Sequence, residues 1–396
     1  MNRHKAERRL ALLRRCLIGA GSVLALSAGF APAVAEDTAR DEIGVIGTPG
    51  GAGAQRQAAS FAVTTIRPEE ITKFSPQSTA DLFKAIPGVW VESSGGVAGA
   101  NIDVRGLPGG GDAPFVTLAI NGSPIYGTEM LSFFEQSSIF RIDETIARVE
   151  GLRGGPNSVF GKGEPGLTVN FNLKEGGEET EGRIKYTTSD YGLQRVDAVL
   201  SGKLAEDLYF MIGGYFRAAD GVRDTQFKSE DGQQFTVNLT KLFNNGKVNL
   251  FARWTDDHGQ WVLPMALNTG NDLGTFAQLG NATRFRELQV NAAGDTEIFD
   301  FAKGRGWNGI VTGGSAEFDL GSGVTIRDRF TFMTGDADTY GLVPSGSAVT
   351  AAALSGVIGG AGGTGGRKKA RAGGLLAAHG ARGGGERRAP SGPRPA

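Results

Sequence analysis

The residue types that usually carry bond chemistry are poorly placed for it in this 396-residue chain. Its three histidines, His4, His258 and His379, are too scattered to build a catalytic triad or a metal cluster. Asp256-Asp257-His258 is the densest ligand-like group, but successive residues on a strand point to opposite faces, so a strand end explains it as well. Gly109-Gly110-Gly111 lacks the Lys and Ser/Thr that complete a phosphate loop. Cys16 is the only cysteine, which leaves the rest of the chain without a disulfide or a thiolate metal site. Neither an enzyme, nor a bound metal, nor a covalently bound cofactor is expected.

More informative is the charged series Arg148, Glu150 and Arg153 in the alternating run from Ile146, with Arg105 upstream. Two readings are open: a charged surface against a polar wall, or a solvated strand face whose ion pairs contribute about 0–1 kcal/mol each. Gly154, Gly155 and Gly161 permit positive φ where the chain turns beyond them.

The elements that must position these residues form an α+β domain over 61–175. Ser78 to Ile86 predicts a short helix capped by Ser78 and stopped by Pro87. Phe115 to Ile120 predicts a strand entering an Asn121-Gly122 turn. From about Glu181 the texture changes to alternating segments of roughly ten residues, at 181–190, 194–204, 208–218, 233–243, 247–257, 309–320 and 323–334. Tight turns (Ala205-Glu206-Asp207, Asn244-Asn245-Gly246, Gly321-Ser322) fall at one end, and long loops over 219–232 and 258–308 fall at the other. That asymmetry belongs to outer-membrane β-barrels, with a soluble β-sandwich as the alternative.

The termini have their own compositions. Six basic residues before Leu17, the apolar stretch Leu17 to Phe30 and Ala33-Val34-Ala35 predict a signal peptide over 1–35. An N-terminal anchor is the competing reading, although the run is short of a span. Residues 36–60 predict a flexible tether holding one apolar island, Asp41 to Thr48. Ile43, Val45 and Ile46 there can dress a strand added to a partner's sheet edge. Residues 361–396 are almost entirely Gly, Ala, Arg and Pro, a tail expected to be disordered. It is read either as a basic nucleic-acid arm or, preferably, as a high-GC gene translated out of frame. The formal net charge of −1 hides an acidic body between two basic ends, which argues against nucleic-acid binding.

The stretch Ile146 to Gly161 closely resembles the I-x-R-V-E-V-L-R-G-P-x-S-x-L-Y-G signature of TonB-dependent receptor plugs. It continues into Glu164 to Asn170, which is similar to the plug's P-G-G-x-V-N ending. Asn101 to Gly106 matches the family's I-x-V-R-G element, and Leu82 to Val91 its L-x-x-x-P-G-V-x-V element. Gly151 departs from the pattern where an aliphatic residue is usual, and Gly155 is additional before Pro156.

The resemblance implies an α+β plug followed by antiparallel transmembrane β-barrel strands, in a family whose barrel has about 22 strands. The 183 residues over 178–360 suffice for about eight. An unclosed barrel leaves an unpaired edge in lipid, so the chain alone is expected not to transport. The implied function is energy-coupled uptake of a scarce ligand, foremost a ferric siderophore, with iron present only in that cargo. Carbohydrate, cobalamin and aromatic ligands remain open, as does a non-functional plug fragment.

Implied partners are periplasmic TonB with ExbB and ExbD, outer-membrane lipid and a small molecule, the receptor being a monomer in the outer membrane. Signal-transducing members resemble this chain but carry a further domain before the TonB box, and only four residues lie between Glu36 and Asp41. The TonB box is assigned to Asp41, Glu42, Ile43, Val45 and Ile46. The plug-motif residues are Arg105, Gly106, Arg148, Glu150, Arg153, Gly154, Pro156, Gly161 and Asn170. The loops Val97 to Asn101 and Gly109 to Pro114, with Phe133 and Phe134, are ligand-contact candidates, notably Asn101 and Asp112. Loops that merely fill the lumen explain these equally well.

Overall fold

The computed structural model describes residues 44–45, 54–55, 62–93, 96–107, 115–125, 136–154, 166–223, 225–261, 280–281, 283–343 and 377–378. The signal-peptide assignment, the 361–396 tail apart from 377–378, and all of the Asp41 to Thr48 island but Gly44 and Val45 lie outside them. Those two residues form strand β1 (Gly44–Val45), antiparallel to β2 (Ala54–Gln55).

Between residues 62 and 173 the chain builds a small mixed sheet. β3 (Ala62–Ile66) leads into helix α1 (Pro68–Phe74), which lies outside the elements predicted from the sequence. Its signal was present: Pro68 at the first helical position, acids in the first turn, and Glu70 accepting from the Arg67 amide at 2.8 Å. α2 (Thr79–Leu82) starts as expected at Ser78, whose hydroxyl accepts from the Asp81 amide. It tightens into a 3-10 turn over Phe83–Ala85 before Pro87.

β4 (Val89–Glu92) and β5 (Asn101–Val104) form a separate ladder. β6 (Val116–Ile120) and β7 (Ser123–Ile125) flank the predicted Asn121-Gly122 turn, where both residues have positive φ. β8 (Ile146–Arg153) and β9 (Leu167–Leu173) complete a five-stranded order β3-β8-β9-β6-β7, in which β6 and β9 run parallel. Every residue of β9 is buried, as expected of a strand covered on both faces.

The seven alternating segments form one antiparallel sheet: β10 (Glu181–Thr188), β11 (Gln194–Ala205), β12 (Leu208–Ala219), β13 (Glu230–Phe243) and β14 (Gly246–Gly259) come first. A hairpin of β15 (Phe285–Gln289) and β16 (Thr296–Asp300) occupies the long loop. β17 (Arg305–Gly321) and β18 (Val324–Thr339) then extend the sheet. Among the described residues β10 and β18 do not pair, so the sheet is open.

Alternation sorts the two faces of this sheet. On β14, Leu250 and Trp254 are exposed while Asn249, Phe251, Arg253, Thr255 and Asp257 are buried. Phe216, Phe235 and Phe332 share the exposed face. An apolar band on one side and polar residues on the other is the pattern of a strand between lipid and a polar lumen. No helix among the described residues is long and apolar enough to cross a membrane. The small domain sits against the polar face, and Val199, Met211, Phe251 and Val311 of the wall join its hydrophobic core.

Candidate functional site: a buried ionic seam between plug and wall

The signature residues are turned mostly into their own domain. Glu150 is completely buried and accepts from Arg148 Nε at 2.9 Å and Asn170 Nδ2 at 3.0 Å. Asn170 Oδ1 in turn accepts from the Gly122 amide at 2.8 Å, so strands β8 and β9 and the β6–β7 turn are tied at one point. Arg153 Nη1 donates to the Pro87 carbonyl at 3.0 Å. Arg105 has positive φ and lies beside Gly154, where a Cβ would stand 2.3 Å from Arg105 Nη1. Gly106 follows, also at positive φ.

The departure at Gly151 has a packing reason, because a Cβ there would meet Ile86 Cδ1 at 2.7 Å. Ile86 fills the volume that an aliphatic residue would otherwise take. Pro156, Gly161, Asp112, Phe133 and Phe134 lie outside the described residues. Asn101 is exposed and donates to Glu92 across β4–β5 at 2.8 Å.

The charged contacts to the wall are made elsewhere, by Phe140 to Thr145 just before β8. Arg141 Nε donates to Asp257 Oδ1 on β14 at 2.8 Å. The same carboxylate accepts from Arg217 Nε and Nη2 at 2.7 and 2.8 Å, and from the Tyr215 hydroxyl at 2.8 Å. Arg217 Nη1 reaches Glu230 at 2.8 Å. Three side chains thus donate four hydrogen bonds to one carboxylate that is shut off from solvent, at the β14 position predicted only as a strand end.

Around it the wall also grips the main chain. Arg253 and Gln234 donate to the Arg141 carbonyl at 2.6 and 3.0 Å, and Arg195 donates to the Ile142 carbonyl at 2.6 Å. Asp143 accepts from Gln234 at 2.6 Å and faces Arg253 at 3.3 Å, while Glu144 pairs with Arg183 and Lys185. Phe140 is held between the Phe171 ring at 4.0 Å and the Arg253 guanidinium at 4.2 Å.

These facts correct the placement of the wall-facing charge. It lies on Arg141, Asp143 and Glu144, whereas Glu150 serves the plug's interior. The ionic contacts are largely buried, and the four apolar wall residues pack directly on the plug. Buried pairs add little net stability, yet breaking one strands its partner at a cost of about 3–5 kcal/mol. Such a seam specifies one seating and resists partial displacement. A polar cavity of about 290 Å³ adjoins it, lined in part by Arg141, Glu144, Lys185, Arg195, Arg217 and Glu230.

The exit from the domain is pinned at the short-turn end. Glu175 pairs with Lys247 at 2.6 Å, and Asn238 donates to the Lys174 carbonyl at 2.8 Å. Lys203 and the Tyr209 hydroxyl both donate to Glu178, holding its carboxyl below the usual range. At the opposite end Arg284 makes two hydrogen bonds to Asp300, at 2.7 and 2.8 Å, and stacks near Phe227 and Phe285. No group of three or more His, Cys, Asp or Glu among the described residues is arranged to hold a metal.

Residues 55–168 match the family model described as the TonB-dependent Receptor Plug Domain. A ferric enterobactin receptor of Pseudomonas aeruginosa is 26% identical over 177 residues, which span 40% of this chain and 23% of that receptor. The fold is similar to the ferric preacinetobactin receptor of Acinetobacter baumannii, at 16% identity and a TM-score of 0.52. That match covers 76% of this chain and 40% of that one. It is also similar to the pyoverdine receptor of Pseudomonas aeruginosa, at 14% identity and a TM-score of 0.51, covering 74% and 40%. A copper transporter matches equally well in fold, at 15% identity and a TM-score of 0.51, covering 71% and 39%. The chain therefore spans less than half the length of each of these proteins.

Proposed function

We propose that this chain, which belongs to the TonB-dependent receptor family, forms the plug and first wall strands of an outer-membrane receptor that takes up a ferric siderophore. The observation that carries this reading is the buried ionic seam. A domain with its own core is seated by Arg141 on Asp257, inside a wall whose opposite face is apolar. A permanent domain interface would be sealed more simply with apolar side chains, since replacing buried ion pairs by hydrophobic residues is often neutral or stabilising. Ionic and main-chain hydrogen bonds suit a seating that must be defined and also reversible.

On this reading no bond is made or broken in the cargo. The cargo binds from the long-loop side, and TonB, energised with ExbB and ExbD, engages the Asp41–Ile46 segment from the short-turn side by strand addition. Pulling there works against a plug whose exit, Lys174 to Glu178, is fixed to the wall. The siderophore assignment is supported by the ferric enterobactin receptor among the relatives. The copper transporter shares only the fold and favours no second cargo. The candidates Asn101, Asp112, Phe133 and Phe134 remain proposed ligand contacts.

The test is uptake of radio-iron-labelled enterobactin by cells carrying the full-length receptor, with TonB present or absent. Uptake that requires TonB and disappears on deleting residues 41–48 is expected. Uptake independent of TonB, or no binding of ferric enterobactin or ferric pyoverdine, overturns the assignment.

A further inference from the structure

The plug's apical segment, Val97-Ala98, was a candidate for ligand contact, yet it is buried against the wall. Its neighbour is Gly259, the last residue of β14. A Cβ on Gly259 would stand 2.5 Å from Val97 Cγ2, 3.3 Å from Ala98 Cβ and 3.7 Å from the Ala98 amide nitrogen, all of them plug atoms. Other wall glycines differ in this respect. At Gly213 a Cβ would meet Thr145 of the plug at 2.8 Å, but also the wall's own Ala198 carbonyl at 2.7 Å. Gly259 is missing a side chain only where the plug occupies the space.

Both carbonyls of the segment are held. Val97 O accepts from Arg141 Nη1 at 2.7 Å, and the same guanidinium binds Asp257 through Nε. Ala98 O accepts from Ser138 Oγ at 3.2 Å and from Arg305 Nη1 of the wall at 3.3 Å. Arg305 itself stacks on Trp261 at 4.4 Å. One arginine therefore joins the apex to the carboxylate that anchors the seam.

From this geometry we infer that Gly259 is a positioning residue: it forms the socket that seats Val97, and through Arg141 that seat fixes the ionic seam at Asp257. The inference rests on the plug being releasable, since only then does its seating matter to function. Displacing Val97 moves the carbonyl that Arg141 holds, so the apex and the 140–145 segment loosen together. Because the three nearest atoms are all on the plug, filling the space is expected to disturb the plug before the β13–β14 and β14–β17 ladders.

Hydrogen exchange on the full-length receptor inserted in membranes reads this directly. Gly259→Ala is expected to raise exchange at least tenfold in residues 96–101 and 140–145, with β13 and β14 unchanged. Val97→Ala in the same chain is expected to return both segments towards the native rate, because it removes the colliding methyl. Unchanged exchange in Gly259→Ala, loosening that spreads along β14, or no rescue by Val97→Ala overturns the inference.

If Gly259→Ala fails to insert, the pair Val97→Cys and Gly259→Cys decides the matter. An oxidant-induced cross-link is expected, whereas a Val97→Cys, Gly177→Cys pair is expected to give none. No link at 97–259 refutes the socket. None of these measurements reads uptake, so the socket and the uptake assignment stand or fall separately.

Discussion

Two buried carboxylates, Glu150 and Asp257, are both fully enclosed and both satisfied by an arginine, yet they hold different things together. Glu150 binds Arg148 and Asn170, all on β8 and β9 of one small sheet. Its partners lie within 20 residues in sequence, and its network strengthens a domain that already has an apolar core. Asp257 gathers Arg141 from the plug with Tyr215 and Arg217 from the wall, across sequence separations of 116, 42 and 40 residues. Loss of the first should weaken a domain, and loss of the second should free one. The comparison shows that motif density and mechanical importance need not coincide, since the family signature surrounds Glu150 while the seam falls on a stretch with no motif.

The largest effect is expected from Asp257→Ala, which leaves the Arg141 and Arg217 guanidinium groups buried without their shared counter-ion. About 3–5 kcal/mol of plug seating should be lost. Hydrogen exchange would read this as lost protection over 140–145, with β8 and β9 still protected. Unaltered protection at 140–145 would remove the seam from the account.

Glu150→Gln sharpens the contrast from the other side. It should cost about 1–3 kcal/mol of plug stability through weakened hydrogen bonding to Arg148, and should leave the 140–145 segment seated. A thermal melt of the plug transition measures the cost, and exchange at 140–145 measures the seating. Coupled loss of both would mean that the two clusters are one network.

Gly151→Val tests whether the departure from the signature is a packing exchange with Ile86. Overpacking costs typically about 1–3 kcal/mol, and Ile86→Ala in the same chain should recover part of it. Failure of the second change to help would leave the glycine without this explanation.

The smallest effect concerns Asp81, which accepts from Lys84 and from the Ser93 hydroxyl just before the apical loop. Burial pushes its carboxyl upward, but these hydrogen bonds outweigh it and the folded pKa lies below the ordinary value. A depressed acid contributes stability that is present above its unfolded pKa and is lost as pH falls through the folded one. The native plug should therefore lose stability below about pH 4 more steeply than Asp81→Asn, as followed by denaturant titration across that range. Parallel pH profiles would refute the assignment.

Local signals made much of the fold legible beforehand. Ser78 announces the α2 start because a hydroxyl can accept an orphan amide within the same turn. Asn121-Gly122 announces its turn because both residues tolerate positive φ. The alternation of β10 to β14, β17 and β18 is visible because a strand between an apolar and a polar surrounding changes environment at every residue. Helix α1 carries comparable signals in Pro68, Glu69 and Glu70, but at seven residues it is too short to show a helical period. The parallel pairing of β6 with β9 carried none, since no residue pattern states which strands become neighbours.

The sequence by itself determined the start of α2, strand β6 with its turn, strand β8, the two-faced character of the wall strands and the resemblance, all of which follow from residue type and short-range period. Only the tertiary structure decided that Arg141 meets the wall while Arg148 binds Glu150 and Arg153 the Pro87 carbonyl, that Asp257 faces the lumen as an anchor, and that Gly151 and Gly259 mark places occupied by Ile86 and Val97. The physical reason is common to all three. A buried charge needs a counter-ion and a missing side chain needs an occupant, and each is supplied by a segment distant in sequence.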